Sequence, residues 1–286
     1  MIEIFHVSDL HFGKCDSQNR RSESLLGGIS RQFPFTVNDN RYLLVTGDVT
    51  DHGKKEEYER ATQALLPFAD RVFVTPGNHD YGSLWGTDYS ERKAQYFDDP
   101  FAKGLGFTHS FFDKKVYIHL LQDQSDHWPL MILGLNSCAK EGLSDFAQGE
   151  VGEDQRGELA KKLAQYDSQT PKLLFLHHIP NKAAEWEWIM TLRDWDELMA
   201  VVRGRVDVLA FGHQGKVMEV NGSKKTKPAQ IRPMRVRSIA KDSKHYSKSG
   251  LMLLDADGSV DEQKFYRITL DGNRPTAIVV SVAPVG

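Results

Sequence analysis

The sequence predicts an α/β fold, and three observations carry that prediction. Short runs rich in β-branched and aromatic residues recur along the 286-residue chain, such as Val72-Phe73-Val74, and read as buried strands. Between them lie stretches with helical spacing, the clearest having Tyr58, Ala61, Leu65 and Phe68 on one face. Five of the strand-like runs end in Asp, Asn or His, at the carboxyl edge where open α/β sheets keep their ligand sites.

Taken in order, Ile2 to Val7 is the first strand and runs into Ser8-Asp9-Leu10-His11. The i, i+2 spacing of Asp9 and His11 on extended backbone points both side chains to one side. A short helix is expected over Ser22 to Gln32, in a region rich in Arg, Ser, Gln and Asn. Cys15, in the loop before it, is read as incidental. Tyr42 to Val45 is the second strand, followed by Thr46-Gly47-Asp48 and then Asp51, His52 and Gly53. A carboxylate at 48 has two oxygens and can serve two metals, whereas His52 reads as a solvated loop residue. The helix over 54–70 has its charged first turn in Lys54, Lys55, Glu56 and Glu57. The third strand is broken by Pro76-Gly77, and Asn78-His79-Asp80 follows.

Residues 81–128 form an irregular insertion with Tyr81, Trp85, Tyr89, Tyr96, Phe97, Phe101, Phe107, Phe111 and Phe112. These rings are either an aromatic wall able to stack on a base or the packing of the insertion itself. Val116–Leu121 and Met131–Leu135 read as paired strands, joined through Asp126, His127, Trp128 and Pro129. Gly149 to Gln155 makes a turn into a helix over about Glu153 to Tyr166, with acidic residues in its first turn. Lys172–Leu176 is a strand that ends in His177-His178-Ile179-Pro180. Residues 183–203 read as helical, with Trp186, Trp188 and Trp195 suited to a lid, a homodimer contact or ordinary core packing. Val206–Phe211 leads to Gly212-His213-Gln214-Gly215.

The remainder, 216–286, reads as short strands at Val217–Val220, Met234–Arg237, Gly250–Leu254 and Phe265–Ile268, with hairpin signals at Asn221-Gly222 and Asp257-Gly258. Lys224, Lys225, Lys227, Arg232, Arg235 and Arg237 make it locally basic, either phosphate-facing or a solvated strand edge. With no repeats or low-complexity linkers, one domain over 1–286 is expected, residues 216–286 completing the second sheet.

The ordered set Asp9-x-His11, Gly47-Asp48, Gly77-Asn78-His79-Asp80, His177-His178 and Gly212-His213 resembles the calcineurin-like metallophosphoesterase superfamily. The short chain and the His-His-Ile-Pro block are most similar to its bacterial cyclic-nucleotide phosphodiesterase group. The resemblance implies a four-layer α/β/β/α sandwich of two mixed sheets, with two divalent metal ions between the loops. It implies Asp9, His11 and Asp48 on the first metal, and Asp48, Asn78, His177 and His213 on the second. It also implies that His79 assists at the phosphoryl or leaving oxygen, with Asp80 orienting it through a hydrogen bond. His178 is then behind the ligands or outward, although the sequence itself does not choose between the two neighbours. The carboxylate, amide and imidazole mixture without thiolate suits manganese, iron or zinc.

The chain departs from the family at position 215, where Gly stands in place of the last His of Gly-His-x-His. The first metal then lacks a protein ligand and is expected to be weak. Water or a substrate oxygen fills the gap, or His52 or His245 swings in.

Composition bounds the partners. The net charge of −3 makes long nucleic acid a poorer partner than a small phosphoester such as a nucleotide. The two cysteines, Cys15 and Cys138, make no disulfide framework and fit a cytoplasmic setting. The sequence opens directly on a strand, so no secretion signal is expected, and no apolar run approaches the ~20 residues of a membrane span. The expected activity is metal-dependent hydrolysis of a phosphodiester or phosphomonoester. The rival, raised by Gly215, is a binding module on the same fold with weakened catalysis.

Overall fold

The computed structural model describes residues 2–36, 39–82, 89–122, 129–139, 147–166, 170–178 and 191–213, together with the backbone of four strands within 232–282. The expectations for Trp85, Asp126 to Trp128, Trp186, Trp188, Gly215, Lys224, Lys225, Lys227, Arg237, His245 and the two hairpin signals fall on residues outside that set.

Parallel neighbours need a crossover, and here helices supply it. Strand β1 (Ile2–Val7) pairs parallel with β2 (Arg41–Thr46), and helix α1 (Asp16–Gln32) makes the crossing. Helix α2 (Lys55–Leu65) then carries the chain to β3 (Val72–Thr75), parallel to β2. One-turn α3 (Asn78–Tyr81) and short α4 (Glu91–Tyr96) follow. The second sheet starts with antiparallel β4 (Tyr117–Leu121) and β5 (Leu130–Gly134). Helix α5 (Glu153–Gln165), β6 (Lys172–Phe175), α6 (Trp195–Val202) and β7 (Val208–Phe211) continue it by parallel steps.

The C-terminal strands divide between the sheets, which corrects the expectation that 216–286 completes the second. Among the described residues of that segment, only β8 (Arg232–Arg235) lies there, beside β7. Strands β9 (Met252–Leu254), β10 (Val260–Asp271) and β11 (Arg274–Val282) extend the first sheet, in the order β11-β10-β1-β2-β3 with β9 on β10. The physical reason is the open edge of β1. Its Ile2 to His6 pair antiparallel with Leu270 to Tyr266, so a buried strand does not end the sheet with unpaired backbone.

Period-two alternation separates two cores. Along β6 and the residue after it, Leu173 and Phe175 join the core shared with β1, β2 and β3, while Leu174 and Leu176 join Leu159, Leu163, Leu198 and Val202 of α5 and α6. Two sheets therefore pack face to face between helical layers. Five aromatics of 81–128 belong to the first core: Tyr81, Phe97, Phe101, Phe107 and Phe111 are all buried. Phe107 and Phe111 stack at 5.8 Å, and Phe97 and Phe101 meet at 5.4 Å. Those five rings pack the insertion and present no open face to a base.

Helix α1 begins six residues before the expected Ser22. Its first turn is polar because it faces a backbone carbonyl and not an apolar surface. Gln18 Nε2 and Ser22 Oγ both donate to the Leu10 carbonyl, at 3.0 and 2.7 Å, so the helix tethers the turn between Asp9 and His11.

Candidate metal centre

Six side chains of metal-ligand type converge where the strand ends of both sheets meet. Asp9 and His11 follow β1, Asp48 follows β2, Asn78 opens α3 after β3, His177 follows β6 and His213 follows β7. Two glycines permit the approach. A Cβ on Gly47 would lie 2.4 Å from His177 Nδ1, and one on Gly77 would lie 2.2 Å from Asp48 Oδ1.

The backbone is held in an unusual state. Asp9, His11, Asp48 and His213 have φ of 54°, 46°, 50° and 73°. Left-handed conformation in residues with a Cβ costs about 1–3 kcal/mol each and concentrates at functional sites. Asp9 and His11 therefore come together through a left-handed turn, which corrects the expectation that extended alternation aligns them. Oxygen and nitrogen atoms of Asp9, His11 and Asp48 lie within 4.8 Å of one another.

The second half of the centre is tighter. His177 Nε2 lies 3.3 Å from Asp48 Oδ2, 3.1 Å from Asn78 Oδ1 and 2.9 Å from His213 Nδ1. Its Nδ1 donates to the Thr46 carbonyl at 2.7 Å, which turns Nε2 toward the other donors. His178 instead bonds Ser137 through Nδ1, at 2.8 Å. The geometry thus places His177, of the two neighbours, on the side of Asp48 and Asn78. His213 donates its backbone N–H to Asp9 Oδ2 at 3.1 Å, which joins the two halves.

These groups perturb one another. Burial would raise the Asp48 carboxyl, but His177 and His79 hold it well below the usual carboxylate range. Burial would lower His177, but Asp48 and Asp9 bring it up to about 9. Burial dominates at Asp9, which is raised, and at His11, which is lowered. Two carboxylates, one amide and three imidazoles, all nearly sealed from solvent and without a thiolate, form a donor set that fits a divalent ion of the manganese, iron or zinc class.

His79 is more open than these six, with its side chain 17% exposed. Its backbone N–H donates to Asp48 Oδ1 at 3.0 Å, and its Nδ1 donates to the Asp51 carbonyl at 2.9 Å. Asp80 does not serve as its orienting partner, contrary to expectation. Consecutive helical residues do not face each other, and the fully buried Asp80 carboxylate instead clamps the loops. It accepts from the N–H groups of Val49, Thr50 and Gly77 and from the Thr50 hydroxyl, at 3.2, 2.9, 2.9 and 2.9 Å. Burial, and then the charge of Asp48, push its pKa up to about 6.

Asp51 is the residue that sequence reasoning missed. Its carboxylate accepts from His11 Nδ1 at 2.8 Å and lies 3.6 Å from Lys14 Nζ and 3.8 Å from His79 Nδ1. Burial alone would raise it, but His11, Lys14 and His79 lower it to about 2. Its position three residues after Asp48, in the same turn, was the available signal. His52 is engaged by Glu57 Oε1 at 3.0 Å and is not drawn to Asp9, His11 and Asp48.

Comparison with known proteins gives the family and the fold. The profile of the family described as calcineurin-like phosphoesterase matches residues 2–216. A curated relative, a probable glycerophosphodiester phosphodiesterase GpdQ of Arcobacter nitrofigilis, is 27% identical over 179 residues; the match covers 61% of this chain and 56% of that protein. The 3',5'-cyclic adenosine monophosphate phosphodiesterase CpdA of Haemophilus influenzae is 20% identical over 269 residues, covering 91% of this chain and 88% of that one. Among solved structures, GAP50, described as the anchor in the inner membrane complex of Plasmodium, superposes with a TM-score of 0.57 at 9% identity, covering 100% of this chain and 89% of that one. A putative 5'-nucleotidase of Staphylococcus aureus gives 0.50 at 12% identity, covering 99% and 54%. At such identities the structures are alike in fold alone.

Proposed function

Given that the chain belongs to the calcineurin-like phosphoesterase family, we propose that it hydrolyses a phosphodiester of small size, such as a nucleotide or glycerol diester. The observation that carries this reading is the convergence of Asp9, His11, Asp48, Asn78, His177 and His213, four of them in left-handed backbone. We assign Asp9, His11 and Asp48 to a first divalent ion and Asp48, Asn78, His177 and His213 to a second, with Asp48 shared. When bound, such a pair supplies charge neutralisation and an activated water near neutral pH. Gly215 offers the first ion no imidazole, and Asp9, His11 and Asp48 are its protein ligands among the described residues.

The chain's own residues then orient and move protons. Asp48 is fixed by the N–H of His79, so the shared carboxylate and His79 form one unit. His79 donates Nδ1–H to the Asp51 carbonyl, which directs Nε2 away from the backbone. As the imidazolium, with a second hydrogen on Nε2, the ring steadies a phosphoryl oxygen or gives that hydrogen to the leaving alkoxide and returns to the neutral Nδ1–H form. Asp51 holds the His11 ring through Nδ1, leaving Nε2, 3.6 Å from Asp48 Oδ2, for the first ion. The names of the phosphodiesterase relatives support a diester over a monoester. Cys15 and Cys138 are unpaired, which supports a reducing, cytoplasmic setting. No helix among the described residues is long and apolar enough to cross a membrane.

The test is hydrolysis of a chromogenic phosphodiester by wild type and His79→Ala with manganese added. Turnover is expected to fall by roughly 10²–10⁴-fold with metal content unchanged, and equal turnover sinks the assignment. Gly215 favours one rival reading, a binding module on this fold. Absence of turnover with manganese, iron and zinc alike would favour that rival.

A further inference from the structure

Beyond the six ligand-type residues, two buried rings among the described residues have an unpartnered nitrogen, His6 at Nδ1 and His178 at Nε2, and only the second lies beside the metal centre. His178 is wholly buried, and its Nε2 has no hydrogen-bond partner. Buried polar atoms are nearly always paired, so an orphan marks a place where something else binds.

The tautomer follows from the other end of the ring. Ser137 Oγ accepts from the His178 backbone N–H at 3.1 Å and lies 2.8 Å from His178 Nδ1. A hydroxyl accepts two hydrogen bonds as readily as one, so the assignment rests on its own hydrogen: among the described residues its only hydrogen-bond acceptor is Nδ1, and it donates there. Nδ1 is then the acceptor and Nε2 bears the hydrogen. Ring nitrogens of His177, His178 and His213 lie within 4.8 Å of one another, so an atom seated among them is in reach of all three. Lys114 Nζ donates to the Glu150 carbonyl at 2.9 Å, and the Glu150 N–H donates to the carbonyl of Ser137, the residue that bonds His178, at 2.9 Å, so a cation stands on this side of the centre. A donor hydrogen with a cation nearby favours an anionic oxygen over a further metal ion.

We propose that His178 Nε2–H donates to a phosphoryl oxygen of the bound ester, on the side of the centre formed by His177 and His213. This rests on the phosphoesterase reading and adds a residue that touches the substrate without binding metal.

Inorganic phosphate titrated into metal-loaded protein tests it. In His178→Phe the Kd for phosphate is expected to weaken roughly 10- to 100-fold, the range of a hydrogen bond to a charged group, with metal content equal to wild type. Unchanged phosphate affinity overturns the proposal. So does loss of metal alongside affinity, which would make His178 a ligand. If loaded wild type binds no phosphate, the phosphoesterase reading falls as well; if it binds and His178→Phe is unaffected, only this proposal falls. Should His178→Phe fail to fold, ¹⁵N spectra of the wild-type ring decide. Protonated Nε2 and a shift of its hydrogen on adding phosphate support the proposal, and a ring protonated at Nδ1 alone overturns it. Ser137→Ala, which leaves the ring in place, is expected to mix the two tautomers and weaken phosphate binding by a smaller factor.

Discussion

Loading metal into the metal-free protein at pH 7.5 is expected to expel one proton from His177. Burial works against a charge on this ring, but Asp48 and Asp9 outweigh it and bring the pKa to about 9. Nδ1 is committed to the Thr46 carbonyl, so the second proton sits on Nε2, facing Asp48 Oδ2 and Asn78 Oδ1 at 3.3 and 3.1 Å. A metal bound by those atoms needs the same position. At pH 7.5 the ring is protonated by roughly 30 to 1, so close to one proton leaves for each ion entering the second site. Calorimetric titration with zinc in two buffers of different ionisation heat reads this number directly. Affinity is expected to rise roughly tenfold per pH unit through the neutral range and to level off near 9. Zero proton release at pH 7.5, or an affinity flat from pH 6.5 to 8.5, would refute the reasoning. The same group sets a stability trend. Its folded pKa is raised above the unfolded value, so its contribution is complete below about 6.5 and is lost as pH rises through about 9. The Tm of chelator-treated protein is therefore expected to fall over that window.

Three further outcomes are expected. Asp51→Ala leaves His11 Nδ1 without its acceptor and should weaken the first metal by roughly 10- to 100-fold, read by metal titration, with the second metal retained. Asp80→Ala strands three backbone N–H groups and a hydroxyl in a sealed position. At about 1–3 kcal/mol per orphaned group, denaturant melts should show a loss of several kcal/mol, and a loss under ~1 kcal/mol would contradict the clamp. Leu174→Ala, in the core between β6 and helices α5 and α6, should cost about 2–5 kcal/mol with diesterase turnover per folded molecule unchanged.

Much of the fold and centre was legible because both rest on short-range patterns. Apolar runs such as Leu173 to Leu176 announce strands, and Asp, Asn or His at their ends announces the polar edge. What escaped depends on packing between distant segments. Asp80 sits beside His79 in sequence, yet one turn of helix rotates it into the loop over 49–50. Asp51 reads as a turn residue until His11 is brought against it from forty positions away. The course of β10 and β11 was misassigned to the second sheet because a strand's own residues do not say which free edge they will meet. Phe97, Phe101 and Phe107 look alike whether they line a cleft or fill a core, and only burial separates the two.

The centre is assembled from opposite sheets: Asp9, His11, Asp48 and Asn78 from one, His177 and His213 from the other. Its internal distances are thus a ruler for how the two sheets lie against each other. A shear of half an ångström between them, harmless to an oily interface, would appear in full in the spacing between the two halves of the donor set. Substitutions in the shared core, far from any polar atom, should therefore tune metal preference, and bound metal should slow hydrogen exchange at the ends of strands from both sheets together.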